Sequence, residues 1–170
     1  MAMNKRIKTT AIVVLVIVVL IQLYRPERNL SNDETNSIGK KYPLTGSVET
    51  ILKTSCYDCH SNNTVYPWYA NIQPVSAWLT HHVNEGKEHL NFSEFTLYSI
   101  NKQYHVLQGI SKTIKEDEMP LSSYTLIHTY AKLSPEQKVT ITNWVDATTA
   151  SIKANYPADS LVWKGRKRRD

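Results

Sequence analysis

Both cysteines of this 170-residue chain fall inside one six-residue stretch, SCYDCH at 55–60, where Cys56 and Cys59 stand three apart and His60 comes at once after them. Two thiols and an imidazole within five residues must be presented by one tight turn, and the rest of the chain has to fold around whatever that turn holds. With two cysteines and six histidines in the chain, a shuffled sequence produces this triplet roughly once in a few thousand trials, so the spacing is a specific signal. Three chemistries use a Cys-x-x-Cys pair: a redox dithiol, half of a zinc site, or covalent attachment of haem. The bland alternative is two buried thiols beside a solvated histidine.

The remaining sequence separates these. Zinc needs four ligands, commonly from two knuckles, and no second knuckle exists. His60 is too close to Cys59 to complete a relaxed tetrahedron, so two of His81, His82, His89, His105 and His128 would have to be recruited. A thioredoxin-type dithiol expects a βαβ setting, whereas the surrounding pattern is helical. Haem uses all three residues together. The cysteines add across the two vinyl groups as thioethers, and the adjacent imidazole reaches the iron from the same side.

The N-terminus bears on compartment. Lys5, Arg6 and Lys8 form a basic head before an unbroken apolar run from Ala11 to Ile21. Residues 9–24 are a 16-residue stretch of low polarity, a little short of the ~20 of a usual membrane span, with Lys8 and Arg25 placed to snorkel. The QLYRPERN segment at 22–29 has no small-residue cleavage site and no lipoprotein cysteine. The expectation is an uncleaved signal anchor over residues 1–24, rather than a cleaved signal or a core helix. Covalent haem attachment in bacteria takes place outside the cytoplasmic membrane, so the motif and the export segment support each other. They place the domain in the periplasm, held to the cytoplasmic membrane by a single pass.

Residues 25–44 are polar with little apolar periodicity and read as a tether. The folded domain is expected over 45–157 and a basic tail over 158–170. Within the domain, Ser47–Tyr57, Pro74–Leu90, Ser93–Lys115 and Ser123–Ala131 read as helices. The second carries an apolar stripe of Val75, Trp78, Leu79, His82 and Val83, and the third is given Ser93 as its N-cap. A last helix opens with a capping box, Ser134 to Gln137, with Pro135 at its first position. Glycine is scarce, at five residues, and no hairpin dipeptide occurs. The fold class is all-α. The formal charge of +5 sits largely in the basic head and the KGRKRRD tail without interleaved aromatics, which excludes a nucleic-acid footprint.

A helix ending in Cys-x-x-Cys-His, a Pro- and aromatic-rich loop, a Met-Pro in the second half and a capped terminal helix resemble c-type cytochromes. More narrowly, SCYDCHSNNTVYPWYANIQPVS, HHVNEGKEHLNFSEF and EMPLSSYTLIHTYAKLS are similar to a family of small bacterial haem-binding domains, over about residues 45–150. The resemblance implies a cytochrome c-like helical fold and one covalent haem c, with Cys56 and Cys59 as thioether anchors and His60 as proximal iron ligand. Tyr66, Trp68 and Tyr69 are then expected to pack on the porphyrin or reach its propionates, unless they are simple core aromatics. A carbonyl of the same loop is expected to hold the His60 Nδ1–H, as a ligating imidazole requires.

For the opposite iron position, Met119 in EDEMPLSS is the candidate, since the other methionines are Met1 and Met3. His82 is the alternative, and an open site the third possibility. The function expected is electron transfer between redox donor and acceptor proteins. A haem enzyme (peroxidase-like) or a gas sensor is expected if the iron position is open, and a storage or structural module is the third class. Asp117 and Glu118 beside Met119 read as solvated loop charges, and no nucleophile–base pair or phosphate loop is evident.

Overall fold

In a computed structural model that describes residues 4–163 and 165, the chain is all-helical, and among the described residues no strand is present beyond one isolated bridge between Leu30 and Asn63. Seven α-helices occur among the described residues, in the order α1 (Lys5–Ile21), α2 (Gly46–Ser55), α3 (Tyr57–His60), α4 (Val75–His89), α5 (Ile100–Lys115), α6 (Ser122–Thr125) and α7 (Pro135–Asn155). Short 3-10 turns at Ile38–Lys40, Trp68–Asn71, Phe92–Leu97, Thr129–Ala131 and Ala158–Leu161 join them.

The core forms where α5 lies along α7 and α2 closes over α7. Three-and-four spacing puts Tyr104, Leu107, Ile110 and Ile114 on the buried face of α5, and Ile141, Val145 and Ile152 on that of α7. From α2, Val48, Ile51 and Leu52 meet them, as their spacing predicts. The α7 capping box is present as expected: Ser134 Oγ accepts from the Gln137 N–H and the Gln137 side chain accepts from the Ser134 N–H, satisfying two donors that a helix start leaves open.

The expected helix over 93–115 is two elements. Phe92 and Phe95, three apart and both buried, fit a 3-10 turn, after which α5 starts behind Ser99. Ser93 is therefore not a cap. It is buried, its Oγ donating to Glu34 and accepting from the Asn62 N–H. Leu97, at the end of the 3-10 turn, is exposed.

Residues 29–44, polar enough to read as a tether, lie against the domain instead. Ile38 is completely buried and Tyr42 nearly so, both in the core cluster. Hydrogen bonds fasten the segment: Asn29 donates to the Ser61 carbonyl at 2.8 Å and Asn62 to that of Asp33 at 3.2 Å. At the other end, Leu161 is buried in the same cluster, so packing continues past residue 157. The cations of the expected tail at Lys164 and 166–170 lie outside the described residues.

The expected single-pass helix is corrected in length. α1 has 17 residues, about 26 Å at ~1.5 Å per residue against a hydrocarbon core of about 30 Å. No helix among the described residues is long and apolar enough to cross a membrane. None of the residues of α1 is buried by the rest of the chain.

Candidate functional site: the Cys56–His60 turn

The α2 helix stops at Cys56, whose backbone (φ −126°, ψ −38°) leaves the helical region before α3 restarts for four residues. This break turns Cys56, Cys59 and His60 about a single turn, with the His60 N–H returning to the Cys56 carbonyl at 3.0 Å. Both thiols are free and half-buried. Burial, with each neighbouring negative charge adding to it, pushes Cys56 up to about 12 and Cys59 up to about 11 from an ordinary 9.0, so both are thiols at neutral pH.

His60 is held hardest. Its Nδ1 lies 2.9 Å from the Gly86 carbonyl and 2.9 Å from the Leu90 carbonyl. Two carbonyl partners can only accept, so the ring proton is on Nδ1 and Nε2 carries the lone pair. Burial lowers the His60 pKa below 6.5, against the two carbonyls, which raise it. The ring is neutral, oriented and ready to donate through Nε2. Its Nδ1 partners are not in the 62–74 loop as expected. They come from the C-terminal end of α4, which can approach because residue 86 is glycine: a Cβ there would stand 2.6 Å from the Cys59 carbonyl oxygen. Edge-on to His60, Phe92 closes the inner side of the ring at 6.5 Å.

Beside Cys59 lies a cavity lined by Asp58, Thr64, Val65, Pro67, Leu79, Val83, Tyr124 and His128. The α4 stripe serves this side rather than the helical core. Val83 is buried, Leu79 lines the cavity, and Trp78 remains half exposed. At about 10 Å³ the cavity is far smaller than the ~300 Å³ and more of a cofactor site. One wall is the 124–128 turn, which carries exposed Leu126 and Ile127. In donor chemistry the residues fit a haem: two free thiols and a neutral imidazole whose Nε2 is unencumbered.

Other expected site residues divide. Tyr66 is turned toward the N-terminal segment, its hydroxyl accepting from the Asn29 N–H at 2.9 Å and its ring under the Arg28 guanidinium. Trp68 is 76% exposed. Tyr69 reaches His128, hydrogen-bonding its Nε2. Met119 is exposed on the loop after α5, its N–H on the Thr113 carbonyl, and does not line the cavity. His82 packs edge-on against Trp78 at 4.4 Å, with Nδ1 3.9 Å from Glu85.

The residues that sequence reasoning missed are Gly86, Tyr124 and His128. Tyr124 donates to Asp58 Oδ2 at 2.6 Å and stacks on His128 at 4.3 Å. Both nitrogens of His128 are engaged, by Tyr69 and Tyr130. Of the histidines that a zinc site would recruit, His128 is engaged here, His81 lies 3.4 Å from Glu85 and His105 stacks on Trp163. Among the described residues no group of three or more His, Cys, Asp or Glu is placed to hold a metal ion.

The haem-binding domain family model matches residues 16–147. The chain belongs to that family. No curated protein and no solved structure matches it. In this haem-binding domain the matched stretch spans the end of α1, the packed 29–44 segment, the Cys56–His60 turn and the Met119–His128 loop, so everything that touches the cavity lies within it.

Proposed function

We propose that this haem-binding domain is a monohaem c-type cytochrome that carries electrons between redox proteins outside the cytoplasmic membrane, anchored there by α1. The observation that carries the reading is His60, whose Nδ1–H is divided between two backbone carbonyls so that Nε2 is left as an iron donor. Cys56 and Cys59 stand on the same turn and neither is in a disulfide, as thioether formation requires. The haem supplies one-electron chemistry at iron. The chain's part is to fix the proximal ring, keep water from it, and hold that geometry unchanged between oxidation states.

An enzyme would need a free acid or base beside the cavity. The candidates there are engaged: Asp58 accepts from the Val65 N–H and the Tyr124 hydroxyl, and His128 is held between two tyrosines. That favours electron transfer over peroxidase-like chemistry. Anchoring is supported by α1, apolar on every side from Ala11 to Ile21 and covered by nothing in the chain.

The test is covalent attachment. Produced with a c-type maturation system, the chain should retain its haem through acid–acetone extraction. The Cys56→Ser/Cys59→Ser variant should release it. Haem extracted from the wild type would overturn the c-type reading while leaving haem binding intact.

A further inference from the structure

α1 does not lead into a slack tether. Its last turn continues through Gln22, Leu23 and Tyr24 by backbone hydrogen bonds, and there it is fastened to the 68–73 loop. Gln22 and the backbone of Gln73 exchange two hydrogen bonds, Gln73 N–H to Gln22 Oε1 at 3.0 Å and Gln22 Nε2 to the Gln73 carbonyl at 3.3 Å. The buried Gln73 side chain returns a third, to the Tyr24 carbonyl at 2.8 Å. Arg25 then donates to the Asn71 carbonyl at 2.8 Å, and Arg28 to the Asn71 side chain. Five bonds within seven residues leave no free chain between helix and domain.

Two further properties decide what this joint faces. An apolar helix without a polar face inserts rather than lies flat, and at about 26 Å it is short for the ~30 Å hydrocarbon layer. Inserting a short helix that is fastened to the domain draws the fastening into the headgroup layer. The side chains exposed at the joint suit that layer: Leu23 (77% exposed), Tyr24, Trp68 (76%) and Ile72, with the Arg25 and Arg28 guanidiniums among them. Aromatic and cationic residues with an apolar body are the composition of a membrane–water interface. Trp68 thus has a use that haem packing does not give it.

Resting on the anchoring proposed for α1, we infer that the domain is seated on the lipid surface by a fixed face, Leu23–Arg28 and Trp68–Gln73, instead of standing off on a tether. Val65 and Pro67, which line the cavity beside Cys59, precede this face in the chain, so Cys59 and its cavity are held at a constant height above the bilayer.

The experiment uses the full haem-loaded chain in vesicles of phosphatidylcholine with a minority of phosphatidylglycerol. A benzophenone-bearing amino acid replaces Trp68 in one variant, Ile72 in a second, and in a third Val139, an exposed residue on α7. After flotation and irradiation, intact mass reads covalent lipid adducts. Adducts at 68 and 72, several-fold above those at 139, are the expected result, and Gln22→Ala with Asn71→Ala should lower them. Flotation without adducts at 68 or 72, or with equal adducts at all three positions, overturns the fixed face and leaves the anchor standing. Failure to float overturns the anchor, and the inference with it.

Discussion

Replacing Gly86 by alanine adds one methyl group where α4 crosses the Cys56–His60 turn. The new carbon would lie 2.6 Å from the Cys59 carbonyl oxygen and 3.2 Å from Cys59 C and Cβ, against about 3.4 Å for ordinary contact. The atoms in the way are mostly backbone, so relief requires α4 and the turn to separate by about 0.8 Å. Such overpacking costs about 1–3 kcal/mol, set against a gain of about 1 kcal/mol for removing a helical glycine. Gly109, in the middle of α5 with nothing within 4 Å of its Cβ position, has only the gain. Urea unfolding should then show Gly109→Ala stabilised by about 0.5–1 kcal/mol and Gly86→Ala neutral to about 2 kcal/mol destabilised. The difference between the two isolates the steric contact, since the helix gain is common to both. A separation of that size also stretches the 2.9 Å bonds from His60 Nδ1, so the haem-loaded Gly86→Ala protein should shift its reduction potential where Gly109→Ala does not. If both variants stabilise alike, α4 does not press on the turn and does not fix His60 in the way its carbonyls imply.

The same structure sets five other outcomes. In the haem-free chain, Cys59, raised to about 11, and Cys56, raised to about 12, should alkylate about 100-fold and about 1,000-fold more slowly at pH 8 than an ordinary cysteine. The folded pKa values lie above the unfolded 9.0, so the two groups stabilise the fold below pH 9 and that contribution is lost as pH rises toward 11 and 12, which urea titrations across the range would register. Ile38→Ala should cost about 2–5 kcal/mol, and a loss under about 0.5 kcal/mol would mean that residues 29–44 are a tether after all. Tyr124→Phe, which removes the donor to Asp58, should cost about 1–3 kcal/mol by the same assay. For the second iron ligand, the oxidised protein should show the weak near-infrared methionine–iron band and Met119→Ala should abolish it with haem still attached. Carbon monoxide binding at once to the reduced wild type would indicate an open site, and access gained only in His82→Ala would assign His82.

The helices legible in the sequence are those whose stripes meet the core. In α2, α5 and α7 the periodic residues are the buried ones, and Ser134 with Gln137 marks the start of α7 unambiguously. The motif names the three residues of the Cys56–His60 turn because their chemistry is local. The hold on His60 is not local: Gly86 and Leu90 lie 26 and 30 residues on, and carbonyls leave no mark in a side-chain pattern. The one sign was a glycine inside an amphipathic helix, which costs about 1 kcal/mol and so calls for a packing reason. Composition misread 29–44 because its two buried residues, Ile38 and Tyr42, are outnumbered by polar side chains. A few of those side chains tie the segment to the domain, Asn29 through the Ser61 carbonyl and Glu34 through the Ser93 hydroxyl. Ser93 misled for a similar reason, since a serine before an apolar run reads as a cap whether its hydroxyl bonds a helix N–H or, as here, a buried side chain.

Asp58, one of the two spacer residues between the cysteines, joins these elements. Its Oδ1 accepts from the Val65 N–H at 3.0 Å, its backbone carbonyl from the Thr64 hydroxyl at 2.7 Å, and its Oδ2 from Tyr124 at 2.6 Å. The first two fold the 61–65 segment back over the turn, and the third draws in the loop that carries Met119. A haem held by Cys56, Cys59 and His60 would therefore find the opposite wall already attached to its own binding turn. Met119, exposed and outside the cavity lining, would supply a second iron ligand only if the 124–128 turn moved. The loop's attachment through Asp58 confines that movement to a short arc. Ligation by His82 would instead require its ring to leave Trp78 and Glu85.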